Sequence, residues 1–350
     1  MAQKRLMIDA GLKVFRLTGL DRALRPATRG RGVILTLHRV RPWRPVTPGF
    51  SPNASLEITP EFLDDTLSLM TRLGYEIVSL GEARRRLSYD GPSFAAVTFD
   101  DGYSDMTEHV APIMERHGAP YTSFFATGFL DRSARLWWLE LEEAVRRLDH
   151  IEVDLGGFAL RCAARDPAEK CAAYERVYWA LRARKEEELL AVVAVLAAEA
   201  RVDLAALYGD NFLSWDGARA LARESLMEVG AHSVTHRRLA HWPEEVVRRE
   251  MAQSRTDLIR GLGKPVRHFA YPVGDPTSAG PREFAIAADL GFLTGVTTRP
   301  GVLYGAHANH VHALPRMSVN GLFQDRRALE SLVSGAPTAL MNFGRRVDVA

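Results

Sequence analysis

This sequence predicts an α/β fold: a parallel sheet or closed barrel with helices outside it. Three observations carry that reading. Short β-rich runs alternate with helix-patterned stretches over most of the chain. The runs number about eight, enough to close a barrel. The stretches between them also begin and end on recognisable helix caps.

Taken in order, residues 1–30 read as an N-terminal helix with Leu6, Leu12, Phe15, Leu17, Leu20 and Leu24 along one side. Such a side is expected to dock on the protein's own core rather than on lipid. A barrel domain is expected over 31–335. Its strands fall near 33–38 (VILTLH), 76–79, 94–99 (FAAVTF), 121–126 (YTSFFA), 226–231 (LMEVGA), 267–271 (RHFAY), 292–297 and 314–319. Pro42, Pro45, Pro48 and Pro52 make the stretch after the first strand an irregular loop. Thr59 caps a helix with Pro60 at its first position, and Gly74 lies past its end. Ser79 with Glu82 forms a second capping box. The rhythm breaks over 131–213, a mostly helical insertion: 131–148 is helix-patterned around Trp137 and Trp138, and 186–200 contains no turn signal. Residues 336–350 read as a C-terminal tail.

A hydrophobic fraction of 47% and a charged fraction of 25% fit a globular protein with a sizeable core. Forty-five Lys and Arg against 43 Asp and Glu are too evenly matched to point to nucleic acid or a membrane surface as the main partner. Cys162 and Cys171 lie in one helical-looking stretch and cannot make a disulfide framework, so reduced thiols are expected. The first residues hold no secretory apolar core. No segment reaches the roughly 18 apolar residues of a membrane helix. A cytoplasmic location is the expectation.

Chemistry-bearing residues gather where strands end, the active end of a barrel. Thr98-Phe99-Asp100-Asp101-Gly102-Tyr103 closes an apolar strand with two acids, whose mutual repulsion a cation or a proton would relieve. An ordinary Asp-Gly turn is the alternative. His232-Ser233-Val234-Thr235-His236 follows another strand, and two histidines four apart on one helix face can share a metal. Phe269-Ala270-Tyr271-Pro272-Val273-Gly274-Asp275 runs from a strand into a turn that can present a backbone N–H to an oxyanion, or simply turn. His38 closes VILTLH and, taken alone, reads as structural. His307, His310 and His312 sit in a loop without Cys or acid and read as solvated. Trp137 and Trp138 either stack on a sugar ring or pack the insertion.

Taken together, TFDDG at 98–102, the HxxxH within GAHSVTH at 230–236 and FAYPVG at 269–274 resemble the polysaccharide deacetylases of carbohydrate esterase family 4, the NodB homology domain. The resemblance spans roughly residues 33–320. It implies a distorted (β/α)7-type barrel and a divalent metal, usually zinc, held by Asp101, His232 and His236. Asp100 would be the catalytic base. Val273 would give its N–H to the oxyanion, with Tyr103, Tyr271, Pro272 and Arg316 as further substrate or oxyanion contacts. The family's late Leu-x-His is missing, since no histidine follows His312. The strand ending in Leu37-His38 matches it, as in a circularly permuted member, which makes His38 the catalytic acid. Ala270 stands where the family has an Arg, and Arg316 is the candidate to orient Asp100, a surface ion pair being the other reading. The implied activity is removal of N-acetyl groups from amino sugars of an oligo- or polysaccharide. The alternatives are hydrolysis of a small cyclic amide, or an inactive carbohydrate-binding relative.

Overall fold

Twelve strands form in the computed structural model of the chain, which describes residues 17–42 and 48–349 with Gly11 and Phe15. They are β1 (Gly32–Leu37), β2 (Arg39–Val40), β3 (Glu57–Ile58), β4 (Glu76–Ile77), β5 (Phe94–Phe99), β6 (Tyr121–Phe125), β7 (His150–Asp154), β8 (Ala159–Ala163), β9 (Met227–Ala231), β10 (His268–Ala270), β11 (Thr294–Pro300) and β12 (Leu314–Ser318). Seven parallel strands run β1-β12-β11-β10-β9-β6-β5, and β5 pairs back onto β1 to close the barrel. β4, expected over 76–79, keeps two residues. It pairs with the first half of β5, and β6 takes the second half.

Side chains alternate along a strand, so every second residue points into the barrel. Ile34, Phe94, Ala96, Phe124, Ala270, Val296 and Leu314 fill that interior as one buried cluster. Phe124 needs its neighbour to be glycine: a Cβ on Gly230 would stand 2.3 Å from its ring. The intervening residues, such as Leu35, Val97 and Phe269, face the outer helices and form a second core. The same two-residue step carried upward from Ile34 reaches Thr36 and His38. From Ala96 it reaches Thr98 and Asp100, from Gly230 it reaches His232, and from Leu314 it reaches Arg316. Alternation alone therefore aims the site residues inward, above an apolar plug.

Between β6 and β9 lies a separate cluster of buried apolar residues. Its helices span Trp137–Arg147, Pro167–Arg182, Glu186–Glu199 and Leu204–Asn211. The stretch read as mostly helical also holds the antiparallel hairpin β7–β8, with Gly156 and Gly157 at positive φ in its turn. Strict alternation of buried and exposed residues marks both strands. Cys162 thus sits on a strand rather than in one helical stretch with Cys171, and both thiols are free.

At the chain ends, a helix covers Leu20–Thr28. Leu6, Leu12 and Pro45 lie outside the described residues. Phe15 is buried, but Leu17, Leu20 and Leu24 face solvent, contrary to the docked apolar side expected. The stretch read as a tail begins with a helix, Ala336–Met341, whose Ala336, Pro337 and Thr338 are buried. No helix among the described residues is long and apolar enough to cross a membrane.

Candidate active site

Strand register brings distant residues to one rim. Leu37 pairs with Phe99, so His38 stands level with Asp100, whose N–H donates to Leu37 O at 3.0 Å. Phe125 pairs with Ala231, and the next residue, His232, donates its N–H to Phe125 O at 3.0 Å. Asp101 and Gly102 both take positive φ, turning the chain so that Asp101 leans back over the rim. Gly102 has no room for a side chain, since a Cβ would lie 2.7 Å from the Phe125 ring.

The two histidines do not share a helix face. Residues 232–236 form a loop in which Ser233 and His236 adopt positive φ. Buried Glu250, on the helix Glu244–Leu262, holds this loop by accepting from the N–H groups of Val234 and Thr235 and from the Thr235 hydroxyl. The Ser233 hydroxyl accepts from the His236 N–H at 2.9 Å. Asp101, Ser233, His236 and Val273 are four of the seven described non-glycine residues at positive φ. Backbone strain is thus concentrated at this rim, as it is at many functional sites.

The imidazole Nε2 atoms of His232 and His236 each lie 3.4 Å from Asp101 Oδ1. His232 Nδ1 is 2.7 Å from Ala270 O, and because a carbonyl only accepts, Nδ1 carries the proton and Nε2 is left with its lone pair. Asp101 Oδ1 is buried and lacks a hydrogen-bond donor. Three electron-pair donors thus face one another, an arrangement that a cation relieves. For ligand bonds of about 2.1 Å at tetrahedral angles, donors stand about 3.4 Å apart, the distance of each imidazole from Asp101 Oδ1. Among the described residues it is the one group of three or more His, Cys, Asp or Glu placed to share a metal.

Asp100 shares a cavity with these donors but is held by a different partner. Arg316, 1% exposed, grips it with Nη1 to Oδ1 at 2.7 Å and Nη2 to Oδ2 at 2.6 Å. Two further bonds fix the guanidinium, to Thr297 O at 2.8 Å and to the Thr98 hydroxyl at 3.0 Å. This is a buried fork, not a surface ion pair. Burial by itself would raise the Asp100 carboxyl, but Arg316 outweighs it and holds the group below its ordinary value near 3.8. Asp101 is likewise favoured by burial to rise, yet the two imidazoles hold it well below that value. Burial lowers His38, with Asp101 and Asp100 opposing only in part. For His232 burial is again the largest single influence and lowers the imidazole, but Asp101 and Asp100 together outweigh burial and raise it.

A cavity of about 280 Å³ opens over these residues, lined by His38, Asp100, Asp101, His232, His236 and Val273 from the barrel. The insertion supplies its other wall, including Trp137, Trp138, Tyr178 and Arg182. Trp138 packs on the His236 ring with centroids 5.2 Å apart. Tyr174, Tyr178 and Arg182 recur every fourth residue on one helix, a stripe that could have flagged this wall in the sequence. Glu250 gave no such signal. Four residues expected at the substrate do not line the cavity, Arg316 among them because its guanidinium is taken up by Asp100, Thr98 and Thr297. Tyr103 is fully buried beneath Trp138, whose Nε1 donates to its hydroxyl at 3.3 Å. Tyr271 is a core residue that donates to His312 O at 2.8 Å, and Pro272 is buried beside it. The rival histidine group disperses: His307 is buried in its own turn, and His312 reaches Phe292 O.

The sequence profile of the polysaccharide deacetylase family matches residues 89–156 and 169–293, more than half of the chain. The chain belongs to the polysaccharide deacetylase family. It is therefore a hydrolase of carbon–nitrogen bonds other than peptide bonds. Solved structures of the same fold include a Streptococcus pyogenes deacetylase, PplD, at 20% identity over 86% of this chain and 97% of that one, TM-score 0.56. IcaB from Ammonifex degensii aligns at 18% identity over 87% and 97%, TM-score 0.53. A de-N-acetylase from Aggregatibacter actinomycetemcomitans aligns at 13% over 86% and 99%, TM-score 0.52. No curated protein matches the chain.

For this deacetylase the Asp100–Arg316 pair makes a prediction about stability and pH. Arg316→Met leaves a buried carboxylate without its cation, and urea melts should show a loss of about 3–5 kcal/mol. A depressed carboxyl stabilises the fold above its ordinary value near 3.8 and gives that stability up as pH falls through the depressed value. Without Arg316, burial raises the Asp100 carboxyl, so the acid limb of activity should move to higher pH while the acid limb of stability shrinks, because a raised carboxyl stabilises the fold only at low pH and loses that stability as pH rises. Limbs left in place would show that Arg316 does not set the protonation of Asp100.

Proposed function

We propose that this deacetylase removes the N-acetyl group from an amino sugar of an oligo- or polysaccharide, using a divalent cation, Zn2+ by the chemistry of its donors, held by Asp101, His232 and His236. The observation that carries the reading is the buried, donor-less Asp101 Oδ1 facing two imidazole nitrogens at 3.4 Å. Bound there, a cation would polarise the acyl carbonyl and bring the pKa of a water toward neutrality.

The chain's own residues divide the remaining work. Asp100, fixed as carboxylate by Arg316, accepts a proton from the attacking water. The Val273 backbone N–H, on a strained turn at the cavity wall, stabilises charge on the carbonyl oxygen. His38 gives a proton to the departing sugar nitrogen as the C–N bond breaks, so that acetate and a free amine result. Trp137 and Trp138 offer apolar faces against which a pyranose ring can lie. We place this activity in the cytoplasm, where the free thiols of Cys162 and Cys171 would persist.

The test is acetate release from an N-acetylated chito-oligosaccharide by the purified chain, with its metal content measured alongside. One bound ion per chain, lost on dialysis against a chelator together with activity and restored by Zn2+, is expected. Full release by the metal-free protein would overturn the metal site. A loaded protein that leaves every N-acetylated sugar intact would overturn the substrate.

A further inference from the structure

The helix Leu20–Thr28 is mounted with its apolar side outward. Its inward face is polar: Asp21 is buried and accepts from the Ser331 hydroxyl, Arg25 donates to Leu73 O at 2.6 Å, and Thr28 donates to Ser334 O at 2.7 Å. Those contacts recur at helical spacing and fix the rotation of the helix. Leu20 and Leu24 therefore project to solvent, and Leu17, which precedes the helix across the left-handed Gly19, has 88% of its surface exposed. The helix Ala336–Met341 packs against this one, and Gly335 approaches so closely that a Cβ there would lie 2.1 Å from Thr28 O. Leu340, Met341 and Phe343 are exposed on that segment, Phe343 at 96%. These two segments thus hold six of the twelve exposed large apolar side chains among the described residues. A water-facing surface does not concentrate them by chance.

Charge identifies the partner. Residues 1–31 contain eight Lys or Arg against two Asp or Glu, whereas the whole chain has 45 against 43, so the remainder is net acidic. Arg345 and Arg346 add exposed positive charge beside Phe343. Outward apolar side chains in a stretch of basic sequence, with Arg345 and Arg346 exposed beside Phe343, are the pattern of a surface lying in the interface of a negatively charged membrane. We propose that the Leu17-Leu20-Leu24 face, with Leu340, Met341 and Phe343, docks this protein on an anionic lipid bilayer. The helix ends at Thr28, four residues before β1 begins, which puts the face toward the N-terminal ends of the strands. The cavity lies at their C-terminal ends, so docking leaves it open, and the inference stands apart from the deacetylase reading.

Sedimentation of the full chain with phosphatidylglycerol-containing vesicles, against pure phosphatidylcholine vesicles, tests it. Binding is expected only with the anionic lipid, and should weaken as salt rises from about 0.1 M to about 1 M and the screening length drops from about 10 Å to about 3 Å. The triple change Leu17→Ser, Leu20→Ser, Leu24→Ser should cut partitioning at least about tenfold. Its melting temperature and its acetate release from a soluble oligosaccharide should match the parent. Absence of binding to anionic vesicles overturns the proposal, as does a triple variant that binds like the parent. So does a wild-type dimer that the triple change dissociates without any vesicle binding, because a second copy would then be what covers the face.

Discussion

Asp100→Asn should lower kcat for acetate release by about 10²–10⁴-fold, the usual worth of a positioned general base. The change is nearly isosteric and leaves Asp101, His232 and His236 untouched, so bound metal should persist. It has a second consequence. Arg316 presents two N–H donors to the two Asp100 oxygens, and an amide offers one acceptor and one donor in their place. The guanidinium, 0% exposed at its side chain, then lacks the carboxylate it pairs with. A stability loss of up to about 3–5 kcal/mol is expected with it. The rate is therefore read well below the melting transition, with metal content as the check on the fold of the site. A folded, metal-loaded Asp100→Asn protein that retained its parent's kcat would remove Asp100 from the base role.

The barrel was legible because its strands are apolar, β-branched runs that end abruptly in polar residues, and because period-two alternation does not depend on what lies elsewhere in the chain. Asp100, Asp101, His232 and His38 could be picked out for the same reason: each stands one or two positions past such a run. What the sequence concealed depends on contacts between distant segments. The geometry of 232–236 is imposed by Glu250, an acid that reads as an ordinary helix residue. The hairpin β7–β8 was hidden by its helical neighbours, although Gly156-Gly157 between alternating runs is a hairpin signature. Arg316 illustrates the intermediate case. Its place on β12 was readable, but its fourfold anchoring to Asp100, Thr98 and Thr297 required the barrel to close. Tyr103 and Tyr271 misled because adjacency in a motif is not adjacency in space: the turn after β5 buries Tyr103 under the insertion, and alternation past β10 turns Tyr271 into the core.

His38→Ala should separate the two proton transfers. A sugar amine is a poor leaving group unless protonated as the C–N bond breaks, so loss of the acid should cost about 10²–10⁴-fold in kcat on the N-acetyl substrate. A phenolate leaves without that proton. The same variant should therefore hydrolyse an aryl acetate such as 4-nitrophenyl acetate within about tenfold of its parent, whereas Asp100→Asn, which impairs activation of the water, should lose both activities. His38 borders the cavity beside Asp100 but is not one of the three grouped donors, so metal content should be unchanged. Burial shifts its imidazole toward the neutral form, and Asp101 and Asp100 oppose that shift only in part. That arrangement lets His38 remain uncharged in the resting site and take up a proton as the reaction supplies one. Equal losses on amide and aryl ester would assign His38 to shaping the pocket instead, and would leave the identity of the acid open to the remaining cavity-lining groups.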